Sequence, residues 1–110
     1  MIAFKITRNG REICTAGAED LAVLSAIVSA TGKLGSDTVP SHPDRIGADV
    51  YFSVGGLTGR KDPKKDVHVD WESVSSLNVG DVITVTVIET SVVDRPKRRR
   101  KADSVRKRPS

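Results

Sequence analysis

Apolar and polar residues alternate in several short runs, and the first begins at the N-terminus. Ile2, Phe4 and Ile6 alternate with Ala3, Lys5 and Thr7, the period of a strand with one buried face. Asn9-Gly10 follows, and both residues tolerate the positive φ of a two-residue hairpin loop. With those two as the loop, Arg8 faces Arg11, Ile6 faces Ile13 and Lys5 faces Cys14. The two arginines beside the turn are the one repulsive pair in that register.

The period then lengthens. Glu19 and Asp20 stand where the dipole of a helix favours acids, and Leu21, Leu24 and Val28 recur at i, i+3 and i+7. Val23, Ile27 and Ala30 widen that face, and Gly32-Lys33 supplies a stop, so the spacing predicts a helix over residues 18–31. Residues 33–48 hold Gly35, Pro40, Pro43 and Gly47 with little periodicity. That is long for an unstructured connection and marks a functional or mobile segment.

Val50, Phe52 and Val54 predict a third strand ending at Gly55-Gly56, and Val67, Val69 and Trp71 a fourth. Residues 72–77 read as one helical turn, and residues 82–89 as a fifth strand with Ile83, Val85 and Val87 opposite Thr84 and Thr86. The reading is an α+β fold, ββαβββ, in which a small mixed sheet of about five strands packs one helix. Ile6, Leu24, Trp71 and Val85 are expected to share its core.

An N-terminal hairpin feeding a helix, with later strands completing the sheet, resembles the β-grasp or ubiquitin-like arrangement over residues 1–90. The likeness is one of topology and implies no conjugation chemistry, since the sequence ends in Arg-Pro-Ser rather than Gly-Gly. Gly55-Gly56-Leu57, Trp71 and the run Leu77-Asn78-Val79-Gly80-Asp81-Val82-Ile83 also look like a pattern in short uncharacterised bacterial proteins. That pattern brings no activity with it.

Charge divides the chain sharply. Residues 95–110 carry nine Lys or Arg against one acid, Asp103, for a net +8, whereas residues 1–94 hold nine against thirteen, net −4. Such a division suggests a polyanion-binding arm on an ordinary domain. The expected organisation is one domain over residues 1–92 and a disordered polybasic tail over residues 93–110, too poor in apolar residues to fold alone. No apolar run reaches the length of a signal peptide or of a membrane span, so the expected location is cytoplasmic, or nuclear in a eukaryote.

The tail is the strongest candidate site. Arg95, Lys97, Arg98, Arg99, Arg100, Lys101, Arg106, Lys107 and Arg108 are suited to phosphate, and the predominance of arginine favours bidentate contacts. Arg60, Lys61, Lys64 and Lys65 form a candidate second basic patch. The glycines before them do not make a phosphate loop, because Lys61 is followed by Asp62-Pro63 rather than by Ser or Thr and a helix.

No catalytic residue is singled out. His42 and His68 lie near Asp44, Asp66 and Asp70, yet lack the spacing of a metal or acid–base motif, and neither a metal nor a cofactor is expected. Cys14, the single cysteine, reads as a small buried hydrophobe. The expected function is a small non-enzymatic module whose arm binds nucleic acid without sequence specificity. The competing reading is a protein-interaction module, an inhibitor, immunity-type or adaptor protein. There the acidic body holds the partner, and the tail assists or docks an acidic protein surface.

Overall fold

Asn9 and Gly10 take φ of 52° and 80°, turning β1 (Ile2–Arg8) into β2 (Arg11–Ala16) as their residue types dictate. Arg8 pairs with Arg11, but a register shift between Ile6 and Thr7 sets Ile6 opposite Cys14 and Lys5 opposite Thr15. Ile13 is the extra residue of this bulge. Cys14 therefore takes the place on the Ile6 face that simple counting assigns to Ile13, and it is buried there.

The computed structural model describes residues 1–39 and 47–102, and its next element corrects the sequence reading. The expected helix is instead β3 (Leu21–Gly32), paired antiparallel with β4 (Ala48–Thr58) from Leu21↔Thr58 to Gly32↔Ala48. The segment supports both periods, since Leu24, Ala26, Val28 and Ala30 also share one face of a strand. It is rich in β-branched residues, and from Leu21 to Gly32 it has no charge with which to solvate the outer face of a helix. The strand that lies beside it decides the outcome.

β4 runs straight through Gly55-Gly56. A Cβ on Gly55 would stand 2.9 Å from the Val69 carbonyl oxygen, and one on Gly56 would collide with that of Val23, so these glycines allow close strand approach and are not a turn. A three-residue 3₁₀ turn (Pro63–Lys65) leads into β5 (Val67–Leu77), which absorbs the helical turn expected at residues 72–77. β6 (Ile83–Glu89) returns to pair with β1, and β7 (Arg98–Lys101) pairs with β5.

The fold is thus nearly all β, not α+β, and with no packed helix among the described residues it is not a β-grasp. One sheet has the order β2-β1-β6 and the other β3-β4-β5-β7, every pairing being antiparallel. Ile6, Cys14 and Ala16 of the first sheet pack with Phe52, Val54, Val69 and Trp71 of the second. Leu24 lies partly buried against this cluster. Val85, expected in the core, is 41% exposed because β6 is a sheet edge.

The expected disordered tail is corrected as well. Arg98–Lys101 is a strand, and residues 103–110 lie outside those described. An edge strand needs partners for its backbone rather than an apolar sequence, and charged side chains are common on such edges.

Candidate nucleic-acid interface

The cationic strand is reached by a crossing between the two sheets. After β6, the Asp94 N–H donates to the Thr15 carbonyl at 2.9 Å, and the Asp94 carboxylate accepts the Thr15 N–H at 2.8 Å. The Trp71 indole donates to the Asp94 carbonyl at 2.8 Å. Lys97 N–H then donates to the Asp70 carbonyl, and beyond β7 the Ala102 N–H donates to the Asp66 carbonyl at 3.0 Å. Ala102 is buried, so both ends of the short strand are held.

The ladder places Arg98 opposite Asp70, Arg99 opposite Val69, Arg100 opposite His68 and Lys101 opposite Val67. Arg98 and Arg100 share the sheet face of Asp70 and His68, while Arg99 and Lys101 emerge on the other face. Residues two apart on a strand are separated by about 6.7 Å, so each face presents its cations in a row. All four side chains are exposed. Arg100 Nε stands 3.9 Å from the Asp70 carboxylate, and Lys97 Nζ 3.4 Å from that of Glu72. Arg98, Arg99 and Lys101 make no ion pair among the described residues.

The second basic patch adjoins the first. Lys101 pairs with Val67 and Ala102 bonds to Asp66, which puts the end of β7 beside the turn carrying Lys64 and Lys65. That turn is ordered from within. Asp62 accepts the Lys64 N–H at 3.0 Å, and the buried Thr58 hydroxyl donates to Asp66 while accepting the Val67 N–H.

Arg60 does not belong to the available set. Its Nε donates to Asp20 at 3.0 Å and its Nη1 to the Lys65 carbonyl at 2.8 Å, so it braces the loop. Lys61, Lys64 and Lys65 are exposed and make no ion pair among the described residues. Arg95 is exposed at the root of the strand, and Arg106, Lys107 and Arg108 lie outside the described residues.

The other chemistry raised by the sequence is dispersed. His42 and Asp44 lie outside the described residues, as does most of the loop between β3 and β4. His68 sits mid-sheet between Leu57 and Arg100. Among the described residues no cluster of His, Cys, Asp or Glu could hold a metal ion. Burial, reinforced by the carboxylates of Asp94 and Glu72, pushes the Cys14 thiol up to about 11, so it is neutral and unreactive. Among the described residues no helix is long and apolar enough to cross a membrane.

Joining the two basic segments was beyond sequence reasoning, because the signal is a backbone ladder. The available hint was Val92-Val93 before the basic run, the kind of apolar foothold that tethers a following segment. Val93 lies over Gly17, where a Cβ would come within 3.1 Å of its side chain. No protein-family model, curated protein or solved structure matches this chain.

Proposed function

We propose that this protein is a small non-enzymatic binding module that holds nucleic acid through phosphate, using the cationic strand β7 together with Lys61, Lys64 and Lys65. The observation that carries the reading is the β5–β7 register, which brings two basic segments distant in sequence together at one edge of the sheet, with Arg98 on one face and Arg99 and Lys101 on the other. A strand fixes its cations in advance, so less side-chain and backbone freedom is lost on binding than from a flexible tail. Each phosphate neutralised releases counterion, which makes affinity steeply salt-dependent. The only helical element among the described residues is the three-residue 3₁₀ turn, so the surface lacks a helix to read base edges in the major groove, and discrimination between sequences should be slight.

The competing acidic-body reading finds less support. Asp20, Asp70, Glu72, Asp81 and Asp94 are each engaged with cations or backbone of the same chain.

The test is fluorescence anisotropy of a labelled oligonucleotide with the full chain and with Arg98→Glu, Arg99→Glu and Lys101→Glu combined. If about five phosphates are engaged, the log–log salt slope on duplex DNA is near −4 to −5, and the triple variant loses most of the affinity. Unchanged affinity in a folded triple variant, or a salt-independent interaction, rules the reading out.

A further inference from the structure

Unpaired N–H and C=O groups on a sheet edge recruit other strands, so natural edges are blunted by charge, proline or bulges. Two of the four sheet edges, β2 and β7, are treated in that way. β7 bears Arg98, Arg99, Arg100 and Lys101. β2 bears Arg11 and Glu12, and its Thr15 backbone is taken by Asp94. β3 is uncharged, and its one register shift, between Leu21 and Val23, leaves Val23–Gly32 a regular open edge as well.

β6 is blunted only by Glu89, at its last residue. From Ile83 to Ile88 it has neither charge nor proline, and it pairs with β1 residue for residue, from Ile2↔Glu89 to Arg8↔Ile83, without a shift.

The ladder also reveals which backbone groups face outward. Thr90 and Met1 exchange both backbone bonds, and the Asn9 N–H donates to the Val82 carbonyl. Bonded pairs alternate along an antiparallel ladder, so Thr84, Thr86 and Ile88 turn their amides and carbonyls to β1. Ile83, Val85 and Val87 turn theirs outward, where no partner exists among the described residues. The same residues present apolar side chains, with Val85 41% and Val87 68% exposed beside an Ile2 that is 65% exposed. Free backbone groups and uncovered apolar side chains thus coincide on one edge.

That edge borders the open side of the sandwich. Asp94 ties β2 to Trp71 and closes the opposite side. Here a hollow of about 460 Å³ is lined by Ile2, Phe4, Leu21 and Leu24, and another of about 370 Å³ by Val28, Val50, Leu77 and Ile83.

We infer that β6 pairs antiparallel with β6 of a second copy of this chain, across a two-fold axis through Val85, giving one continuous six-stranded sheet. The choice of occupant follows from the strand itself. A two-fold through Val85 sets Val85 against itself and Ile83 against Val87 on one face, and Thr84 against Thr86 on the other. The sequence is self-complementary in the manner an isologous contact requires. Pairing β6 with β3 of another copy would be heterologous and would propagate into a fibre, whereas β6 with β6 closes at two. β7 lies at the edge of the other sheet, so the pairing does not depend on the nucleic-acid reading.

The test is the mass of the full chain by sedimentation equilibrium at high salt and free of nucleic acid, together with amide hydrogen exchange. The expected mass is twice the 11.8 kDa of the chain, with slow exchange at Val85 and Val87 as well as at Thr84 and Thr86. Val85→Lys with Val87→Lys should give the monomer mass and lose protection at residues 85 and 87, keeping it at residues 84 and 86. A monomer at every concentration, an open-ended polymer, or a dimer that survives in the folded double variant overturns the inference. Should the double variant fail to fold, exchange in the unaltered protein decides: rapid exchange at Val85 and Val87 beside protected Thr84 and Thr86 overturns it.

Discussion

The indole Nε1 of Trp71 donates to the carbonyl oxygen of Asp94 at 2.8 Å, so the largest buried side chain of the core holds the root of the cationic strand. Asp94 in turn exchanges bonds with Thr15 on the other sheet. One residue therefore joins β2, β5 and the segment leading to β7, and the basic segment is built onto the core rather than appended to it.

Replacing Trp71 with Ala should cost about 3–5 kcal/mol, the usual range for a large buried aromatic. Denaturant titration measures the loss, and hydrogen exchange at the Lys97 and Ala102 amides should rise beyond the general change. A loss below about 1 kcal/mol would place Trp71 outside the core.

Removing the tail and neutralising it should have different consequences. Ending the chain at Asp94 deletes β7 and uncovers the outer edge of β5, including its bonds from Lys97 and Ala102. Backbone bonds of this kind are worth about 0.5–1.5 kcal/mol each, so the truncated chain should melt several degrees lower. Arg99→Glu with Lys101→Glu leaves the backbone ladder intact and should scarcely shift the melting temperature. Equal melting of the truncated and full-length chains would deny β7 a structural part.

Acid should loosen the junction of the two turns that flank β1 and β6. The Asn78 amide, the Asn9 side chain and the Arg8 guanidinium all bind the Asp81 carboxylate and lower it from 3.8 to about 2. A carboxyl lowered by folding contributes stability that is fully present above its unfolded value and disappears as pH falls through the folded one. Stability should therefore decline between about pH 4 and pH 2, and Asp81→Asn should be less stable at neutral pH but flatter across that window. Parallel profiles for the two proteins, from urea melts at a series of pH values, would refute this assignment.

Cys14 should resist alkylation while the protein is folded. Its thiol is buried and raised to about 11, so little thiolate exists at pH 8. Iodoacetamide should modify it slowly in buffer and at the rate of an ordinary thiol in denaturant. Mass spectrometry over time reads both, and equal rates would mean that β2 opens freely.

Where local chemistry alone decides, the residues were a sufficient guide. Asn9-Gly10 forms its hairpin because few other pairs take positive φ, and the alternation of β1, β6 and the first half of β5 survives into the sheets. The basic character of residues 95–101 and of the loop at residues 60–65 is equally plain from composition, although Arg60 proves to be a brace for the loop.

Conformation at Leu21–Gly32 was not legible in that way. Its apolar residues satisfy the helical and the extended period together, and only the eleven-residue β4 beside it supplies the partners that make the strand the better choice. β7 shows the opposite case, a segment with no period at all. An edge strand is stabilised by backbone bonds to its neighbour, and backbone groups are the same in every residue but proline. The sequence by itself therefore determined the Asn9-Gly10 turn, most of the alternating strands and the placement of charge. Tertiary structure alone decided that residues 21–32 extend, that the basic segment joins a sheet, and that β6 stands as an open edge, because each depends on which strand lies alongside.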